Sequence, residues 1–138
     1  MSGRRRLMMA MKSGGELVIE MGLDSDIVFK LDGDAIVAEG WNYGGIGTHH
    51  DLERNYPDLY FGEPKCYADG RVWDLREPLQ LGFAANRISG VELLESGRGD
   101  VSVGEESGAC YIVWTDTEIH VADNAGSSSR YLIKITFK

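Results

Sequence analysis

The stretch that decides the fold is Cys110–Lys138, CYIVWTDTEIHVADNAGSSSRYLIKITFK. Its last third alternates with a period of two. Tyr131, Ile133, Ile135 and Phe137 fall on one side, and Leu132, Lys134 and Thr136 on the other. Successive side chains of an extended strand point to opposite faces, so this pattern marks a strand with one buried face. Ile119 and Val121 repeat it, with Glu118 and His120 outward. Between the two runs, Asp123-Asn124-Ala125-Gly126-Ser127-Ser128-Ser129 is dense in residues that turn the backbone. The reading is a β-hairpin or a Greek-key corner around which the remaining strands pack.

The same signals recur toward the N-terminus. Leu17, Ile19 and Met21 alternate with Val18 and Glu20, and Asp24-Ser25-Asp26 ends that run. Ile27, Phe29 and Leu31 form a second buried face, and Asp32-Gly33-Asp34 separates it from AIVAE at 35–39. Asp-Gly between apolar runs is a strong short-range hairpin signal. Residues 40–58 are the least strand-like: Gly44, Gly45 and Gly47 oppose a helix, although a helical turn over Thr48–Asn55 with Thr48 as cap fits. Then come LYFG (59–62), a loop EPKCYADG (63–70) and RVWD (71–74), with Pro64 and Pro78 disfavouring central strands where they stand. PLQLGFA, ISGVELLE and VSVG complete the series, punctuated by Gly97, Gly99, Gly104 and Gly108. Roughly nine or ten short strands without a helical period indicate an all-β fold. The expected architecture is a single-domain antiparallel β-sandwich or Greek-key barrel with one long irregular loop region. A basic arm, residues 1–15, precedes a β domain spanning 16–138.

Composition narrows the function classes. At 138 residues the chain forms one domain and buries about two-thirds of its unfolded surface. A net charge of −8 opposes binding to nucleic acid or an anionic membrane, and suits solubility, a cation or a basic partner. Leu7–Met11 is only five apolar residues, too short for a secretory signal, so Cys66 and Cys110 are read as reduced thiols and the compartment as cytoplasmic.

Three sets of residues carry candidate chemistry. His49, His50 and Asp51, with Glu53 nearby and His120 as a distant fourth group, offer imidazole and carboxylate ligands for a transition metal, the basis of a small metal-dependent hydrolase. Adjacent strand residues diverge, so His49 and His50 share an ion only in a bend, and no nucleophile accompanies them. The acidic turns Asp24, Asp26, Asp32, Asp34, Asp123 and Asn124 offer oxygen ligands for calcium, although short polar side chains also occupy turns simply to bond the local backbone. Trp41, Tyr43, Tyr56, Tyr60, Phe61, Tyr67 and Trp73 give the 40–78 region its aromatic density, and such rings anchor protein partners and sugars. Arg98-Gly99-Asp100 reads as a coincidence in a glycine turn.

Asp123-Asn124-Ala125-Gly126-Ser127-Ser128 resembles the calcium motif of βγ-crystallins: two Asx residues, two variable residues and two hydroxyl residues. Ala85-Asn86-Arg87-Ile88-Ser89-Gly90 is similar to a degraded copy, and Glu39-Gly40-Trp41-Asn42-Tyr43-Gly44-Gly45 looks like that family's aromatic corner, with Ala38 where an aromatic belongs. The resemblance implies two Greek keys with calcium on Asp123, Ser128 and nearby carbonyls; read from the turns themselves, the calcium candidates are Asp123, Asn124, Ser128, Asp32 and Asp34. The preferred expectation is a non-enzymatic binding or assembly module, without cofactor or with calcium. Trp41, Tyr43, Tyr56, Tyr60 and Trp73 would contact a protein, a glycan or a second copy of the chain. The terminal strand is expected to offer an edge for β-augmentation.

Overall fold

The computed structural model describes residues 15–23, 25–40, 46–47 and 64–138, which form twelve strands and, among the described residues, no helix. In chain order they are β1 (Glu16–Leu23), β2 (Ile27–Asp32), β3 (Ala35–Glu39), β4 (Ile46–Gly47), β5 (Lys65–Ala68) and β6 (Arg71–Asp74). They continue with β7 (Leu79–Gln80), β8 (Ile88–Ser96), β9 (Ser102–Val103), β10 (Cys110–Trp114), β11 (Glu118–Asp123) and β12 (Ser129–Phe137).

Two sheets pack as a sandwich. The first runs β6-β5-β1-β12-β8, with β4 also paired to β1, and the second runs β7-β3-β2-β11-β10-β9. The inner faces are the alternating positions of the sequence. Tyr131, Ile133, Ile135 and Phe137 are all fully buried, and they meet Ile27, Phe29, Ile112, Ile119 and Val121 from the opposite sheet. Each such side chain contributes about 1.5–3 kcal/mol on burial. Phe29 and Trp73 pack across the layers with ring centroids 5.7 Å apart, and Phe83 closes one end against Phe137 at 5.6 Å.

Several expectations are corrected. Of the two readings of the Asp123–Ser129 turn the corner holds and the hairpin does not: β11 and β12 lie in different sheets, so the turn carries the chain between layers. The terminal strand is not an edge, because β12 sits between β1 and β8. Its free-edge reading rested on position in the chain, which does not fix position in the sheet. The sandwich is not wholly antiparallel, since β9 pairs parallel with β10. The proposed loop 63–70 contains β5, joined to β6 through Asp69-Gly70. Glu20 does alternate onto the face opposite Ile19 and Met21, but there it is only 7% exposed and accepts a hydrogen bond from Arg130 Nη2 at 2.6 Å. The same guanidinium reaches Glu95 at 2.7 Å, tying β1, β12 and β8 together on the outer face. The helical turn at Thr48–Asn55 and the LYFG run lie outside the described residues.

Candidate functional site

A sandwich has four strand edges, and they differ in what they offer. Edges β7 and β9 are two residues long, and Pro78 stands just before β7. Edge β8 is nine residues long but irregular: its register with β12 shifts at Leu132/Ile133 and again at Thr136/Phe137. Bulges of this kind bend a strand and spoil its free edge as a template. The remaining edge is β6. Among the described residues it pairs only with β5, in continuous register from Lys65↔Asp74 to Ala68↔Arg71.

Local chemistry explains why β6 is held firmly. Asp69 and Gly70 both adopt positive φ, 49° and 77°, the geometry of a two-residue turn that suits Asp-Gly and follows the twist of a hairpin. Asp69 also clamps the turn to β1: its backbone N–H donates to Val18 O at 2.8 Å, and Val18 N–H donates to Asp69 Oδ1 at 3.0 Å. At the far end Arg76 donates to both Asp74 carboxylate oxygens at 2.9 and 2.7 Å, which holds the Asp74 pKa down at about 2. Trp73 points inward and donates from Nε1 to Glu77 O at 2.9 Å. Val72 alternates with it and is 45% exposed, the most exposed of the large apolar residues described.

Beside β6 the two sheets part to form a cleft of about 240 Å³. Leu17, Ala68 and Val72 line it from the first sheet, Leu79 and Leu81 from the second, and Asp69, Arg71 and Gln80 supply polar groups. The arrangement can add an extended segment through backbone hydrogen bonds while an apolar side chain enters the cleft.

The residues expected from sequence are placed differently. Trp41, Tyr43, Tyr56, Tyr60, His49, His50 and Asp51 lie outside the described residues. Trp73, expected at a partner surface, is a core residue 4% exposed, and Tyr67 is 5% exposed, because their strands turn these rings onto covered faces. The calcium set is divided. The register Lys30↔Glu118 to Ile27↔Val121 puts the Asp32–Asp34 turn at one end of the second sheet and Asp123, Asn124 and Ser128 at the other. The Asp123 carboxylate is fully buried and already engaged. Its Oδ2 accepts from Arg98 Nε at 2.8 Å and from the Tyr131 hydroxyl at 2.7 Å, and Oδ1 accepts from Ala125 N–H at 3.3 Å. Arg98 also donates from Nη2 to Ser127 Oγ at 3.0 Å and to Ser127 O. A cation at those oxygens would have to displace a guanidinium that already neutralises them. Burial, then the bond to Asp123, pushes the Tyr131 phenol well above its usual range.

His120 lies on the outer face of the second sheet, with Nε2 3.1 Å from Asp26 Oδ2 and its ring edge-on to Tyr111 at 5.5 Å. Among the described residues, no group of three or more His, Cys, Asp or Glu is arranged to hold a metal ion. Cys66 and Cys110 are both buried and unbridged.

Sequence reasoning missed Val72, Leu79, Leu81 and Arg98. Asp69-Gly70 between KCYA and RVWD carried the same hairpin signal as Asp32-Gly33, and would have located β5 as the partner of RVWD. Compared with known proteins, the chain matches no family model, and no curated protein or solved structure matches it significantly.

Proposed function

We propose that this chain is a non-enzymatic binding module that captures an extended segment of a protein partner along the outer edge of β6, which among the described residues pairs only with β5. The observation that carries the reading is the contrast among edges. Three are short or bulged, whereas β6 is regular, follows a clamped turn, and presents exposed Val72 beside a cleft lined by both apolar and polar side chains. Backbone bonding along such an edge supplies affinity, and the cleft supplies selectivity for one apolar side chain. Strand β6 falls inside the 40–78 region, whereas Leu17, Leu79, Gln80 and Leu81 of the cleft fall outside it.

Selecting peptides from a displayed library and mapping them by amide chemical shifts tests the reading. Selected peptides should perturb Arg71–Asp74, and Val72→Lys should weaken them by about tenfold or more, the loss of one buried aliphatic contact plus a charge held out of the cleft. Peptides that perturb another surface, or bind Val72→Lys unchanged, would remove it. A glycan that shifts these amides where no peptide does would replace it.

A further inference from the structure

We propose that the segment captured by β6 carries an acidic side chain two positions from its apolar one, and that Arg71 selects it. This rests on the reading of β6 as the binding edge, and adds what that edge reads.

Leu75 N–H donates to Pro64 O at 2.8 Å, and in an antiparallel ladder bonded and non-bonded pairs alternate. Cys66↔Trp73 and Ala68↔Arg71 are therefore the bonded pairs, and Lys65↔Asp74 and Tyr67↔Val72 are not. The backbone groups of Arg71 and Trp73 thus turn toward β5, and those of Val72 and Asp74 turn outward. Asp74 O is taken by Glu77 N–H at 3.0 Å. An added strand is left with Val72 N–H, Val72 O and Asp74 N–H.

The same register fixes which side chains of that strand meet the cleft. Arg71 and Trp73 share one face of β6, and Ala68 stands opposite Arg71 on it. Trp73 and Ala68 belong to the core, so this face is turned to the other sheet. Residues of an added strand opposite Arg71 and Trp73 fall on it too, two positions and about 7 Å apart. One of them reaches Leu17, Leu79 and Leu81, and the other stands beside Arg71.

Charge decides what the second residue is. Arg71 is the one cation among the described residues that line the cleft, and Asp69 the one carboxylate. Asp69 Oδ1 already accepts from Val18 N–H at 3.0 Å. Among the described residues the Arg71 guanidinium has no ion-pair partner, unlike Arg76, which holds Asp74, and Arg98 and Arg130, which hold the buried Asp123 and Glu20. Its planar fork matches a carboxylate. The net charge of −8 repels a long acidic run, so the preference is for one acidic position rather than many.

The test screens a displayed random library against the full chain, then follows the selected peptides by amide hydrogen exchange and titration. In the free chain the Val72 and Asp74 amides should exchange faster than those of Arg71 and Trp73, and a selected peptide should slow both. Selected sequences should hold Asp or Glu two places from an aliphatic residue, and replacing that acid by Gln should weaken binding about fivefold at low salt. Arg71→Glu should bind the parent peptide more weakly still and accept one with Lys in place of the acid, whereas Arg71→Gln should lose the discrimination. Peptides that protect Val72 and Asp74 yet tolerate Gln, or bind Arg71→Glu unchanged, overturn the role of Arg71 and leave the β6 reading standing. Selection of a basic residue passes that role to Asp69 and overturns it equally. Peptides that leave both amides exchanging freely, or slow exchange at Val72 in the free chain, overturn the β6 reading as well.

Discussion

Asp123 shows what a single buried carboxylate requires. It is fully buried and held by Arg98 and Tyr131, so removing the guanidinium would leave a charge in the interior without its partner. Arg98→Ala should therefore cost about 3–5 kcal/mol in urea unfolding, as breaking a buried pair does elsewhere. Arg98→Lys should recover only part, because one ammonium cannot reproduce a guanidinium that bonds Asp123 and Ser127 together. Alkaline pH probes the same region. Burial raises the Tyr131 phenol and the Cys66 thiol above their usual values, which are about 10 and 8.5. The unfolded chain thus loses these protons at lower pH than the folded one. Their contribution is complete below those usual values and is lost as pH rises beyond them. The urea midpoint should fall steeply between about pH 9 and 11, and Tyr131→Phe with Cys66→Ala should flatten that slope; an equally steep decline in the double variant would show that other groups are responsible. None of this pairing was legible beforehand. Asp123 stood out as an acidic turn residue, but Arg98, 25 positions away, was visible only as part of a tripeptide. A sequence does not show which distant cation a carboxylate will meet, nor that the meeting makes it a structural group.

Among the elements, β8 and β6 show how an edge is closed or left open. Leu94 is the extra residue at one bulge of β8: Leu93 pairs with Ile133 and Glu95 with Leu132, leaving Leu94 without an opposite. Deleting Leu94 keeps Leu93 inward and Glu95 outward and makes the edge regular from Gly90 to Ser96, leaving only the bulge at Ser89. The deletion variant should stay folded yet self-associate with rising concentration in sedimentation velocity, since a long regular edge is a template for pairing. A folded variant that remains monomeric would show that the bulge is not what guards this edge. The buried alternation of β1, β2, β11 and β12 was plain from period two, because each has one face wholly inside the sandwich. The β5 strand was hidden because three of its four residues are buried, Tyr67 and Ala68 on opposite faces, which erases alternation. The bulges of β8 were hidden for a related reason. One inserted residue shifts the phase without changing the composition, and only the partner strand reveals where.

At the scale of the whole molecule, β1 and β12 form the middle of one sheet although Glu16 pairs with Thr136 across nearly the whole chain. Closing so long a loop must precede much of the packing, so refolding should take milliseconds to seconds rather than microseconds. Stopped-flow fluorescence of the tryptophans measures this directly, and a microsecond relaxation would mean that the central pairing is not required at the barrier. The layered all-β class could be read from the residues alone, since it depends on period and turns. The order of strands could not, because many arrangements bury the same faces, and the choice is made by contacts distant in sequence. The bond between Gly15 O and Phe137 N–H carries one more consequence. A bridge of a few residues from 138 to 15 would turn the polypeptide into a circle with little disturbance, and reopening it within the exposed residues 104–108 would give the same two layers in a different reading order. Cargo joined at residue 15 or at residue 138 would be delivered to the same pole of the sandwich.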